Sequence, residues 1–172
     1  MPMVTSVPER VRWAVDVLDI QPNERLLEVG PGPGVAAALI GDRLVDGSLV
    51  AIDRSEVAVR RTVERNRTHL AAGKVVVRHG SLEDFEGGGG PFNKVFAINV
   101  NFFWTRDAAA ELELIARILV PRGSVYLFFE APTETKAREI AGLLRDKLRL
   151  AEFEASTKRA GAMVAIVGTR AA

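Results

Sequence analysis

Leu26-Leu27-Glu28-Val29-Gly30-Pro31-Gly32-Pro33-Gly34, followed by Val35-Ala36-Ala37-Ala38-Leu39-Ile40, reads as an apolar strand, an acid near its end, a glycine bend and a helix. Glycine takes positive φ and lets a ligand approach the backbone closely. The helix that follows points unpaired N–H groups at whatever occupies the bend. Such a strand-bend-helix unit makes a site for a nucleotide-like ligand. The glycine spacing separates the candidate ligands. Dinucleotide folds use G-x-G-x-x-G. Here Gly30, Gly32 and Gly34 alternate, and Glu28 precedes them.

The same alternation of strand and helix runs through the chain. Upstream, Ser6 with Glu9 forms a capping-box pattern ahead of Val11, Ala14, Val15 and Leu18 at helical spacing. Strands are expected at Arg25–Val29, Ser48–Asp53, Lys74–His79, Lys94–Asn99 and Ser124–Glu130. Between them, helices are expected from Pro33 to about Val45, from Ser55 to Gly73 with Val59, Val63 and Leu70 inward, and from Thr105 with Ala108, Leu112, Ile115 and Leu119 inward. Gly87 to Gly90 reads as a loop and Pro121-Arg122-Gly123 as a tight turn. Pro132-Thr133 opens a last helix with Ala137, Ile140, Ala141, Leu144 and Leu148 on its apolar side. Two strands, about Leu150–Thr157 and Ala162–Thr169, then close the chain as an antiparallel hairpin. The predicted fold is α/β: a doubly wound, mostly parallel seven-stranded sheet, helices on both faces, and a C-terminal antiparallel hairpin. Its 172 residues are read as one domain, 1–172.

Composition narrows the function. At 48% apolar and 26% charged the chain matches ordinary soluble globular proteins. A net charge of +1 gives no general pull toward nucleic acid or membrane. The absence of cysteine excludes disulfides, thiolate metal sites and a thiol nucleophile, and no metal is expected. Met1-Pro2-Met3-Val4-Thr5 lacks the basic region and apolar run of a signal peptide. No apolar stretch approaches the ~20 residues of a membrane span. A cytoplasmic protein without membrane association is expected.

In an open α/β sheet, ligands lie beyond the carboxyl ends of the strands, and there the unusual residues collect. Asp53, 19 residues after Gly34, sits near the ~20-residue offset at which an acid accepts from ribose hydroxyls. Gly80-Ser81-Leu82-Glu83-Asp84 follows the third strand, Asn99-Val100-Asn101-Phe102-Phe103-Trp104 the fourth, and Glu130 ends the fifth.

These segments together resemble the class I methyltransferases that use S-adenosylmethionine. Leu26 to Gly34 is similar to the family's first motif and Ala51-Ile52-Asp53-Arg54-Ser55 to its ribose motif. Arg78 to Asp84 sits where the adenine turn belongs, and Leu119-Val120-Pro121-Arg122-Gly123-Ser124 resembles the loop before the fifth strand. The resemblance covers the chain from about Leu18 onward and implies S-adenosyl-L-methionine as cofactor and in-line methyl transfer as reaction. It places the backbone at Gly30 and Gly32 against the methionine part, counts Pro31 between them as cofactor-binding, and has Gly34 let the helix pack close. Glu28 would attract the ammonium group, Asp53 hold the ribose diol, and Arg54 lie against the adenine face. Leu82 would read the adenine edge, Ser81 stand where the family often has an aspartate, and Asn99 contact the methionine moiety. Asn101, Trp104 and Glu130 are the acceptor-side candidates, with Phe102 and Phe103 either walling a pocket or filling core.

No catalytic base is evident; His69 reads as solvated surface and His79 as structural. Arg60, Arg61, Arg65 and Arg67 are interleaved with Glu56 and Glu64, a solvated face rather than a nucleic-acid patch. With only about two dozen residues before the first motif, a small-molecule acceptor is expected, nucleic acid is not, and a homo-oligomer stays open. The competing readings are a cofactor-binding module without turnover, as sensor or partner subunit, and a nicotinamide-dependent oxidoreductase.

Overall fold

The computed structural model describes residues 6–86, 88 and 90–172, which places Met1 to Thr5 and part of the Gly87–Gly90 loop outside the described residues. Seven strands form one sheet in the order β3-β2-β1-β4-β5-β7-β6. They are β1 (Arg25–Val29), β2 (Ser48–Asp53), β3 (Val75–His79), β4 (Phe92–Ile98), β5 (Leu119–Glu130), β6 (Glu154–Ala160) and β7 (Met163–Thr169). The first five run parallel. β7 is reversed and lies between β5 and β6, antiparallel to both. The closing hairpin therefore puts its second strand, not its first, against the parallel block. Burial explains the order: β7 is a near-continuous apolar run with Val164 to Ile166 fully buried, whereas β6 alternates with charges and suits an edge.

Beyond Phe92, which precedes a register shift in β4, strand side chains alternate between the two faces. Leu26, Leu49, Val75, Phe96 and Phe128 face one layer of helices, built on α1 (Glu9–Leu18) and α2 (Val35–Arg43). Leu27, Val50, Val95, Val125 and Leu127 face the other. That second layer holds α5 (Phe102–Thr105), α6 (Ala109–Ile118) and α7 (Glu134–Leu150). Within α7 the five predicted apolar positions are the buried ones, and the Thr133 hydroxyl accepts from Lys136 N as the N-cap.

Several local expectations are corrected. α1 begins after Pro8, without a side-chain cap, so Ser6 lies too far upstream to form the capping box with Glu9. α2 starts at Val35, because Gly34 is left-handed and cannot belong to it. The single helix expected from Ser55 to Gly73 breaks at Asn66 into α3 (Glu56–Arg65) and α4 (Arg67–Ala71). Thr62 and Asn66 are buried there, whereas Val59, Val63 and Leu70 are half-buried. Thr105 ends α5 rather than opening α6, and Leu119 belongs to β5. Pro121-Arg122-Gly123 is a bulge inside β5: Phe92 pairs with Leu119 and Lys94 with Ser124, so four residues of β5 oppose Asn93 alone. The last helix continues to Leu150, so β6 starts at Glu154, and the hairpin turn narrows to Gly161-Ala162. His69 is not solvated: its side chain is 17% exposed, pairs with Asp42 at 3.1 Å and packs on Gly41.

Candidate active site

The sheet order reverses between β1 and β4, and a crevice opens at the carboxyl ends of these strands. Its floor is the glycine bend, which is held from two sides. Thr62 Oγ1 donates to Gly32 O (3.0 Å), Arg65 Nε to Pro33 O (2.9 Å) and Asn66 Nδ2 to Gly34 O (3.1 Å). Three successive carbonyls are thus turned onto α3. On the other side Asp53 Oδ2 accepts from Gly32 N (3.3 Å), while its Oδ1 accepts from Ser55 N (2.9 Å). Asp53 is both a rim carboxylate and a brace of the bend.

Three cavities share this rim. The first, about 420 Å³, is lined by Gly30, Asp53, Arg54, Ser81, Leu82, Val100, Phe102 and Arg106 among others. The second, about 280 Å³, is lined by Glu28, Gly30, Pro31, Gly32, Asn99 and Val100, with Pro8 and Arg10 from the start of α1. The third, about 400 Å³, is lined by Asn99, Asn101, Trp104, Phe129, Glu130, Pro132, Lys136 and Ile140. Gly30 and Val100 belong to the first two and Asn99 to the last two, so the cavities adjoin one another along a single rim and together make a groove.

Nine of the ten residues expected around a cofactor line the first two cavities. Gly34 is the tenth. It faces away from the groove, where a Cβ would stand 2.8 Å from Thr62 Cα; it seats α2 against α3. All three acceptor-side candidates line the third cavity. Phe103 is fully buried core, whereas Phe102 reaches the first cavity, with the Arg106 guanidinium 4.9 Å from its ring centre. Arg54 and Arg106 both pair with Glu83 at the mouth, at 3.1 and 3.6 Å. The Ser81 hydroxyl donates to Asp84 Oδ2 at 2.8 Å, so a carboxylate stands beside the turn after β3, three residues on. His79 is exposed and its Nε2 meets Arg54 O at 2.9 Å, bracing the ends of β2 and β3.

Glu28 is the electrostatic anomaly. It is 2% exposed, and its Oε2 has no hydrogen-bond partner. Burial, reinforced by the nearby Asp53 charge, pushes its carboxyl up to about 8. Asn99 holds left-handed backbone (φ 55°), which asparagine tolerates better than other side chains, and its Oδ1 accepts from Glu130 N at 2.9 Å. That bond ties the ends of β4 and β5 together where the second and third cavities meet.

Arg10, Arg106 and Lys136 are groove residues that the strand-end reading misses. They come from helices and a helix-helix loop, and nothing in local sequence says which strand end a helix will overhang.

A doubly wound sheet with a reversed seventh strand, a G-x-G-x-G bend and an acid ending β2 defines a class I methyltransferase. The chain belongs to the methyltransferase-domain family, whose model matches residues 26–123. It is 35% identical over 133 residues to YrhH of Bacillus subtilis (strain 168), a presumed methyltransferase, covering 77% of this chain and 72% of that protein. Among solved structures it superposes on an O-methyltransferase family protein from Burkholderia thailandensis with a TM-score of 0.73 at 16% identity, over 94% of this chain and 56% of that one. Magnesium protoporphyrin IX methyltransferase from Synechocystis PCC 6803, solved with bound SAH, gives 0.69 at 18% identity over 94% and 82%. The chain thus spans little more than half of the Burkholderia protein. No described helix is long and apolar enough to cross a membrane.

Proposed function

We infer that the groove binds S-adenosyl-L-methionine along its first two cavities, and that its methyl group passes to a small-molecule acceptor seated in the third. The observation that carries this reading is Glu28. A carboxyl group that lines a cavity while one of its oxygens is buried without a partner is costly to ionise unless something cationic meets it. An α-ammonium group supplies that partner. The open side of Gly32, where a Cβ would touch nothing within 4 Å, leaves room for a chain beside it. Asp53 supplies acceptor lone pairs for a ribose diol, and Leu82 and Phe102 an apolar bed for a purine.

When bound, S-adenosylmethionine supplies a sulfonium methyl already activated for displacement. The residues of the groove are then needed chiefly to align the acceptor, and proximity and orientation can supply about 7–11 kcal/mol. Trp104 and Ile140 give the third cavity its apolar wall, and Asn101 offers an amide for orienting a polar group.

Asp53→Ala is expected to weaken binding of both S-adenosylmethionine and S-adenosylhomocysteine by about ten- to a hundredfold, read by calorimetry. Unchanged affinity would remove Asp53 from the ribose site. Because Asp53 also braces Gly32 and Ser55, a small loss of melting temperature should accompany it. Trp104→Ala should lower methyl transfer to an acceptor found by metabolite screening, with cofactor affinity retained. The opposite pattern would place the indole on the cofactor side.

A further inference from the structure

Arg10 stands between the two cavities that meet at Asn99. It is the second residue of α1, which packs on α2, β5 and β7. Its side chain lines the cavity that also holds Glu28, Pro31 and Gly32. Its Nη1 lies 3.5 Å from Oε2 of Glu130, which lines the acceptor-side cavity. Both side chains are close to half exposed, at 43% and 47%, so the pair is weak and parts at little cost. Glu28, by contrast, presents a buried oxygen without a partner. The cavity therefore offers one carboxyl and one guanidinium. That is the complement of an α-amino acid, whose ammonium meets the first and whose carboxylate meets the second in a forked, charge-assisted geometry.

We propose that Arg10 is a shared counter-ion, paired with Glu130 in the structure described here and turned to the carboxylate of the cofactor's amino-acid end in the complex. This rests on the S-adenosylmethionine reading of the groove. Arg10 acts as a positioning residue: by leaving Glu130 it exposes that carboxylate to the third cavity. An acceptor carrying an amine or another hydrogen-bond donor then meets a carboxylate with no competing cation, and binds more tightly once the cofactor end of the groove is filled. The exchange makes and breaks no covalent bond. It couples the two ends of the groove through one side chain and favours one order, cofactor before acceptor.

The test compares two ligands by calorimetry: S-adenosylhomocysteine, and 5′-methylthioadenosine, which has the adenosine and sulfur but no amino-acid end. Arg10→Ala is expected to weaken S-adenosylhomocysteine by about ten- to a hundredfold and to leave 5′-methylthioadenosine unchanged. Arg10→Lys should fall between, since lysine keeps the charge but not the fork. Glu130→Gln should tighten S-adenosylhomocysteine by about two- to fivefold, because the competing partner is gone. In the double variant Arg10→Ala/Glu130→Gln that gain should vanish. Equal losses for both ligands in Arg10→Ala, or weaker S-adenosylhomocysteine binding in Glu130→Gln, would overturn the proposal. If the wild-type protein binds neither ligand, the reading of the groove fails with it; if it binds both and Arg10→Ala changes nothing, only the role of Arg10 fails.

Discussion

Glu28→Gln is expected to weaken S-adenosylhomocysteine binding by about a hundredfold while making the ligand-free protein more stable at alkaline pH. The two effects have one origin. The carboxyl is buried with one oxygen unpartnered, and its folded-state value is pushed up to about 8 from 4.5. Below pH 4.5 the group is protonated whether the chain is folded or not, and its contribution to stability is fully present. From there to about pH 8 the unfolded chain releases the proton and the folded chain keeps it, so stability falls as pH rises. Above about 8 both states are ionised and the loss levels off. The slope approaches about 1.4 kcal/mol per pH unit in mid-window. Glutamine does not titrate, so its melting profile should run flatter and cross above the wild type toward pH 9. Parallel profiles would mean that Glu28 is not protonated in the fold. Ligand binding near neutral pH should also release about one proton, visible as a dependence of the calorimetric heat on buffer ionisation enthalpy.

Gly34→Ala and Gly32→Ala should separate stability from binding. Gly34 has φ +78°, and a Cβ there would meet Thr62 Cα at 2.8 Å and Asn66 Nδ2 at 2.9 Å. The obstacle is partly backbone, so α2 must move off α3. Left-handed strain and overpacking together should cost about 3 kcal/mol or more, lowering the melting temperature by roughly 6–12 °C in a chain of this size. Gly32 has φ +54° and nothing within 4 Å of a Cβ. Its alanine variant should lose only about 1–2 kcal/mol, yet bind S-adenosylhomocysteine poorly, because the methyl group projects into the groove. Equal losses of stability in the two variants would contradict the geometry; so would intact binding in Gly32→Ala.

The parts of this molecule legible in its sequence are those governed by local physics. β1 and β2 fall on the predicted residues, since short apolar runs between a turn and a glycine or a cap leave little choice. The buried face of α7 follows from its period alone. The groove was legible too, because a parallel sheet collects ligand residues at strand ends. What escaped depends on contacts across the chain. Asn66 breaks the expected helix because its amide is drawn to Gly34 O, 32 residues away. Thr62 lies buried where apolar periodicity points instead to the neighbouring valines, because its hydroxyl is drawn to Gly32 O, 30 residues away. Arg10 gives no sign of its place, since α1 reaches the rim only through tertiary packing.

The reversed strand has a consequence for how this scaffold tolerates change. Met163 opens β7 opposite both Glu130 and Ala160, so the tip at Gly161-Ala162 overlooks the same edge of the sheet as the third cavity. Ala131 N bonds to Ala162 O at 3.0 Å, fastening that tip beside the third cavity. Extra residues inserted between Gly161 and Ala162 would build outward from an already anchored base, far along the sheet from the glycine bend. On the proposed reading of the groove, insertions at this corner would change the surroundings of the third cavity and leave the glycine bend as it is.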